Sequence, residues 1–273
     1  MKQKIILITG ASSGIGKATA KRLISEGHIV YGAARRVENM SDLEEMGGHA
    51  IRMDITNEAE VTAAVQRIMD ENDRFDVLVN NAGYAVYGAV EQIPIDQARR
   101  QFEVNLFGLA SLTQKIIPIM REQGAGQIIN ISSVGGKIYS PLGAWYHATK
   151  HALEGWSDAL RIELAQFGIQ VSIIEPGAIV TEFTDVMNDP MIELSKGGPY
   201  EALADAVVKT GKRAYDGSPS THPDVIAKVI SKAIAAQNPK TRYAAGKMSG
   251  QVLFLRRWLS DKAFDKMLMG MGK

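Results

Sequence analysis

The amino-acid sequence predicts an α/β fold: one doubly wound parallel sheet with helices on both faces. Three observations lead there. Short apolar runs alternate with helical stretches along most of the chain. The runs are rich in Ile and Val and do not alternate apolar with polar residues, as strands buried on both faces read. A glycine-rich turn joins the first run to the first helical stretch. Strand–helix alternation of this kind implies right-handed crossovers and a doubly wound sheet.

Strands are expected at 4–9, 29–34, 49–53, 77–80, 127–131 and 170–174, and helices at 14–26, 58–72, 96–122 and 144–167. Gly27 follows the first helix as a C-terminal glycine. Asn57 and Asp96 are candidate N-caps. Gly124 and Gly126 close the long helix that starts near 96. With no linker, internal repeat or low-complexity segment, residues 1–273 read as one domain. The rhythm breaks at about 182–221, where Pro190, Gly197-Gly198-Pro199 and Gly217-Ser218-Pro219 surround one helical piece. That segment reads as an insertion, and 246–273 as a C-terminal helical extension.

The 273 residues are 45% hydrophobic and 22% charged, an ordinary globular composition. A formal net charge of +1 offers no general electrostatic reason to bind nucleic acid. The absence of cysteine excludes disulfides, thiolate catalysis and Cys-ligated zinc, and is compatible with a reducing compartment. The apolar run before Thr9 spans four residues, short of the roughly 7–15 of a secretory signal. No run approaches the ~18–20 residues of a membrane span. The expectation is a cytoplasmic protein.

The turn after the first strand reads Thr9-Gly10-Ala11-Ser12-Ser13-Gly14-Ile15-Gly16. Its glycines allow a tight turn and close approach of backbone to a pyrophosphate, and the helix that follows supplies free N–H groups and its positive dipole end. The expectation is the dinucleotide site of a Rossmann-like sheet, with spacing G-x-x-x-G-x-G in place of the common G-x-G-x-x-G; the alternative is an ordinary turn. An NAD-binding sheet usually carries an acid after the second strand, to hold the ribose 2′-hydroxyl. Here that strand ends in Arg35-Arg36, whose guanidinium groups suit a 2′-phosphate, and Ser12 can add a hydroxyl donor. NADP(H) is therefore expected over NAD(H).

Tyr146 and Lys150 stand four residues apart, on one face of a helix. A free tyrosine titrates near ~10; a nearby ammonium stabilises the tyrosinate and lets the phenol act as general acid and base. Ser133 ends the fifth strand, and Asn80-Asn81-Ala82-Gly83 ends the fourth, at the edge of an open sheet where ligands bind. Asn105 interrupts the long helix among apolar neighbours; a buried Asn there needs a partner.

These elements, in this order and spacing, resemble the short-chain dehydrogenase/reductase family. The resemblance rests on Thr-Gly-x-x-x-Gly-x-Gly at 9–16, Asp54, Asn-Asn-Ala-Gly at 80–83, Asn105, Ser133, Tyr146-x-x-x-Lys150 and Pro176-Gly177, and covers residues 1 to about 181. It implies that Tyr146 exchanges the proton, Ser133 orients the substrate oxygen, and Lys150 lowers the Tyr146 pKa and holds the nicotinamide ribose. Asn105 would hold a relay water. Asp54 and Ile55 would contact the adenine, Asn81, Ala82 and Gly83 would line the adenosine ribose, and Pro176, Gly177, Ile179 and Thr181 would hold the nicotinamide side. The second strand is similar to that of the NADP-preferring branch with hydroxysteroid and retinol dehydrogenases and acyl-dihydroxyacetone-phosphate reductases. The resemblance also implies a homodimer or homotetramer, formed by the helices at 96–122 and 144–167.

The insertion, with Phe183, Val186, Met187, Met191, Ile192 and Leu194, reads as an apolar substrate lid, with Tyr139, Gly143, Ala144 and Trp145 approaching from the other side. An apolar carbonyl or alcohol suits such walls. His147 and His151 have metal-compatible spacing but no third ligand, and read as helix-surface or interface residues; no metal is expected. Asp158 and Glu163 read as solvated or interfacial charges. Phe254-Leu255-Arg256-Arg257-Trp258-Leu259 reads as a packing helix, with contact to a membrane surface as the alternative. The competing functions are an NAD-linked alcohol dehydrogenase, a non-catalytic dinucleotide sensor, and an epimerase or dehydratase on the same fold.

Overall fold

The computed structural model describes residues 2–214 and 218–271, with the side chains of 183–186, 213, 214, 220 and 271 outside that description. The chain runs β1 (Ile5–Thr9), α1 (Gly14–Ser25), β2 (Ile29–Ala34), α2 (Ser41–Glu45), β3 (His49–Arg52), α3 (Glu58–Glu71), β4 (Val77–Asn80), α4 (Ile95–Phe102), α5 (Leu109–Gln123), β5 (Gly126–Ile131), α6 (Ala144–Leu164) and β6 (Ile169–Pro176). It continues through α7 (Phe183–Ser195), α8 (Glu201–Ala214), α9 (Pro223–Ala235), β7 (Arg242–Ala245), α10 (Ser249–Trp258) and α11 (Asp261–Met271).

All seven strands are parallel, in the order β3-β2-β1-β4-β5-β6-β7. The winding direction reverses between β1 and β4, so a crevice opens at their carboxyl ends. Successive side chains of a strand face opposite sides. Ile5 and Leu7 of β1 enter a core with Val61 and Ile68 of α3, Leu112 and Ile116 of α5 and Leu160 of α6. Ile6 and Ile8 enter the other, with Ala20 and Leu23 of α1, Leu43 of α2, and Ile226, Ile230 and Ile234 of α9. Both faces are covered, which is why the inner strands carry apolar runs with no polar side.

Several local expectations change in three dimensions. The long helix is interrupted: a π-helical turn at Glu103–Gly108 separates α4 from α5. Its first cap is Pro94, and Asp96 lies inside the first turn rather than capping it. Asn57 does cap α3, its side chain accepting from Ala59 N at 3.1 Å and Glu60 N at 3.3 Å. The insertion holds two helices, α7 and α8, where one piece was expected. The edge strand β7 has no apolar run and is half-exposed, so periodicity does not reveal it. The extension after 246 is α10 and α11.

Candidate active site

The glycine turn is shaped by what it excludes. Gly10 and Gly14 have φ of +69° and +53°, the left-handed region that disfavours side chains. A Cβ at Gly10 would lie 2.9 Å from Ala82 Cα, and one at Gly16 would run into the Gly10 carbonyl. α1 opens directly from the turn. Its N-cap, Ser13, makes no side-chain capping bond, and its first turn holds no acid. Free N–H groups and an uncompensated dipole therefore face the crevice, which fits a dinucleotide pyrophosphate. Asn81 braces the turn: its Nδ2 donates to Thr9 O at 2.9 Å and Gly10 O at 3.2 Å. Thr9 Oγ1 in turn accepts from the amides of Asn81 and Ala82, each at 3.0 Å. Ile15 packs on the core behind the turn.

At the end of β2, Arg35 and Arg36 are both exposed. Arg36 donates to Ser13 Oγ at 3.5 Å and to Glu182 at 3.0 Å. The hydroxyl beside the arginines is thus Ser13's; Ser12 is buried. Asp54 accepts from Thr56 N at 2.9 Å, Thr56 Oγ1 at 2.8 Å and Arg100 at 3.2 Å. Burial opposes its ionisation, but the Thr56 hydrogen bonds and the charges of Arg100 and Arg35 prevail and hold its pKa below the usual carboxylate range. Ile55 is buried, and its carbonyl lies 2.6 Å from where Gly108 would carry a Cβ.

The π turn and α6 meet beside this cradle. Asn105 is 1% exposed. Its Nδ2 donates to Tyr84 O at 2.8 Å and Thr149 Oγ1 at 3.1 Å, and its Oδ1 accepts from Tyr84 N at 3.0 Å. The partner that a buried Asn requires is therefore the backbone just past Gly83. A Cβ on Gly83 would lie 3.1 Å from Asn105 Oδ1 and 3.8 Å from Lys150 Nζ, so the three residues converge. Lys150 Nζ donates to Ile131 O at 2.8 Å. Burial draws its pKa down to about 8, against the opposing charge of Glu154. Tyr146, one turn earlier, is buried, with its ring 5.9 Å from that of Tyr87.

Ser133 begins a small turn that Tyr146 of α6 packs against. Ser133 Oγ accepts from Gly135 N at 3.0 Å, and a Cβ on Gly135 would lie 3.2 Å from Tyr146 Cε1. The anchor of this turn is His147, which is buried rather than on the helix surface. Its Nε2 accepts from Ser140 N at 3.0 Å, which assigns the proton to Nδ1 and lets it donate to Gly135 O at 2.9 Å. Burial lowers its pKa, with the Gly135 hydrogen bond opposing. The sequence offers only a histidine in the same helical turn as Tyr146; its partners are supplied by the fold.

Past β6, Gly177 N donates to Ala245 O at 2.8 Å, and Ile179 is buried. Thr181 reaches the glycine turn, with its Cγ2 3.1 Å from a Cβ built on Gly14. The chain after Pro176 thus closes over the cradle. In the 182–221 insertion Met187 and Met191 pack with Tyr87, Leu142 and Tyr146. Ile192 and Leu194 are partly exposed, and the side chains of Phe183 and Val186 lie outside the described residues. Gly143 packs against Tyr87 and His147, and Ala144 is exposed. Tyr139 turns away from the lid: its hydroxyl donates to Asp265 at 2.9 Å and its ring meets the buried Phe264 at 5.5 Å, both on α11. Asp158 is partly exposed and pairs with Arg161 at 3.1 Å and with Arg242. No helix among the described residues is long and apolar enough to cross a membrane.

A family profile described as short chain dehydrogenase matches residues 4–191. The chain is 39% identical over 265 residues to a 3-ketodihydrosphingosine reductase of Bacteroides thetaiotaomicron, the match covering 96% of this chain and 95% of that protein. It is 33% identical over 272 residues to an NADPH-dependent 3-dehydrocapnine reductase of Ornithobacterium rhinotracheale, covering 95% of this chain and 94% of that one. A solved structure of a short-chain dehydrogenase from Streptomyces avermitilis superposes with a TM-score of 0.81 at 32% identity, covering 98% and 96% of the two chains.

Proposed function

The chain belongs to the short-chain dehydrogenase family and is an oxidoreductase, and from that premise we propose that it interconverts the carbonyl and alcohol of an apolar small molecule with NADP(H), Tyr146 serving as general acid and base. One observation carries the reading: the buried ammonium of Lys150 meets Asn105 and Gly83 beside a glycine cradle, one helical turn from a buried phenol.

The cofactor, when bound, supplies or accepts the hydride. Gly10, Gly14, Gly16 and the first amides of α1 would hold its pyrophosphate, and Asp54, Ile55, Asn81, Ala82 and Gly83 its adenosine half. Pro176, Gly177, Ile179 and Thr181 would hold the nicotinamide. In reduction, Tyr146 Oη gives a proton to the carbonyl oxygen; in oxidation it takes one from the alcohol. Ser133 hydrogen-bonds that oxygen and orients it. The Lys150 ammonium stabilises the tyrosinate and binds the nicotinamide ribose hydroxyls. The Asn105 side chain is committed to Tyr84 and Thr149, so a relay water held at this residue falls to its backbone carbonyl.

NADP(H) is favoured because Arg36 and the Ser13 hydroxyl stand together where an acid would hold a ribose diol, with Arg35 adjacent. The relative named as NADPH-dependent supports this reading. An apolar substrate is favoured by the Met187 and Met191 wall of the lid at 182–221, and by the relative named for a 3-keto substrate. Exposed Phe107 on the π turn and Ile162 on α6 favour a homo-oligomer built on those elements. The test is NADPH oxidation against carbonyls of graded chain length, with Tyr146→Phe alongside. Turnover should rise with apolar chain length and fall at least about a hundredfold in the variant, with NADPH still bound. A panel in which only small charged sugars react would reject the substrate class, and full turnover by Tyr146→Phe would reject the mechanism.

A further inference from the structure

Beside the catalytic pair lies a group of charged side chains that the reaction as described does not use. Glu154 follows Lys150 by one turn of α6 and is 3% exposed. Its Oε2 accepts from Lys137 Nζ at 3.0 Å and from Arg242 at 3.0 Å. Arg242, on β7, also pairs with Asp158 of α6 and lies 3.5 Å from Glu175 Oε1 on β6. Three of the members come from segments that each carry part of the site. Lys137 ends the turn that begins at Ser133, Glu175 directly precedes Pro176, and Glu154 shares a helix with Tyr146 and Lys150. The contact is close: a Cβ on Gly136 would lie 2.9 Å from Glu154 Cγ and 2.7 Å from Ser132 Oγ. A carboxylate this deep is costly to desolvate, and a well-packed apolar side chain serves packing alone as well or better. Its placement one turn from a buried ammonium offers a different use.

We infer that Glu154 is a positioning residue of this enzyme: its carboxylate opposes the buried ammonium of Lys150 and, through Lys137 and Arg242, holds the Ser133 turn and the strand leading to Pro176 against the catalytic helix. Burial alone draws Lys150 toward its neutral form, and Glu154 works against that. Without the carboxylate, Lys150 gives up its proton at lower pH, and Tyr146 loses the charge that stabilises its phenolate. The charged groups around Glu154 are Lys137 from the Ser133 turn, Arg242 from β7, Glu175 from β6, and Lys150 and Asp158 from its own helix.

The inference rests on Tyr146 and Lys150 being the catalytic pair, and the experiment separates the two. Glu154→Gln keeps the shape and removes the charge. In cofactor-free protein carrying nitrogen-15 lysine, the Lys150 Nζ titration, assigned by its loss in Lys150→Met, should move at least about one pH unit lower. With 2-decanone as the probe carbonyl, kcat should fall about tenfold and the KM for NADPH should change less than about twofold. Glu154→Asp should recover part of each effect. A folded Glu154→Gln protein with an unmoved Lys150 titration overturns the inference. If Tyr146→Phe, measured in parallel, also keeps its kcat, the catalytic reading has failed instead. Should Glu154→Gln not fold, Lys137→Met decides. Releasing the Ser133 turn from Glu154 should lower kcat at least about threefold, with the KM for NADPH changed less than about twofold; an unchanged kcat overturns the inference.

Discussion

Replacing Glu175 by Gln should make the protein more heat-stable in mild alkali and leave it nearly unchanged in mild acid. Glu175 is 4% exposed, and its pKa is pushed up to about 7 by burial first and the Glu154 charge second, with Arg242 and Lys137 opposing. A carboxyl whose folded pKa exceeds its unfolded value of 4.5 contributes stability that is fully present below 4.5 and is lost as pH rises through about 7. At about 1.4 kcal/mol for each pH unit, that gap is worth about 3–4 kcal/mol. Gln copies the neutral acid and cannot ionise, so the variant escapes the loss, minus what Arg242 forfeits in its 3.5 Å contact with the carboxyl. A net gain of about 1–2 kcal/mol at pH 8 corresponds to a Tm rise of about 3–6 °C for a chain of this size, against little change near pH 5. Thermal unfolding of cofactor-free protein followed by circular dichroism at both pH values measures it. A Tm difference that does not depend on pH, or one that turns unfavourable in alkali, refutes the reasoning.

Arg35→Asp combined with Arg36→Asp should lower kcat/KM for NADPH by at least about tenfold while sparing NADH, because the two exposed guanidinium groups proposed to hold the 2′-phosphate would be replaced by charges of the phosphate's own sign; steady-state kinetics with both cofactors reads the ratio. Gly16→Ala drives a methyl into the Gly10 carbonyl, so dinucleotide binding followed by fluorescence should weaken and Tm should fall, whereas Gly27→Ala meets no neighbouring atom and tests only the strain of its positive φ. His147→Phe leaves the Gly135 carbonyl and Ser140 amide without their ring partner, which should cost about 1–3 kcal/mol in stability by chemical denaturation and lower kcat more than it alters the KM for NADPH. Ile162→Glu places a charge at an exposed apolar position on α6, and light scattering behind size exclusion should report a smaller particle than the parent if that face joins subunits.

What the sequence determined by itself is everything whose cause is local. Unalternating Ile and Val runs announced six strands of the sheet, because burial on both faces leaves no polar side. The glycines at 10, 14 and 16 announced the cradle, because the turn needs left-handed backbone and close approach. The four-residue interval from Tyr146 to Lys150 put phenol and ammonium on one helical face. The tertiary structure alone decided what depends on distant partners. β7 is a strand only because β6 offers it a ladder. The π turn at Asn105 goes with side-chain bonds to Tyr84, 21 residues away, and Thr149, 44 away. His147 becomes the anchor of the Ser133 turn through Gly135 and Ser140, and Glu154 becomes a buried ion-pair centre through Arg242, 88 residues on. Periodicity and turn chemistry act over a few residues and leave a readable pattern; the pairing of buried polar groups acts across the fold, and its partners are chosen by the crossing of elements rather than by their spacing in the chain.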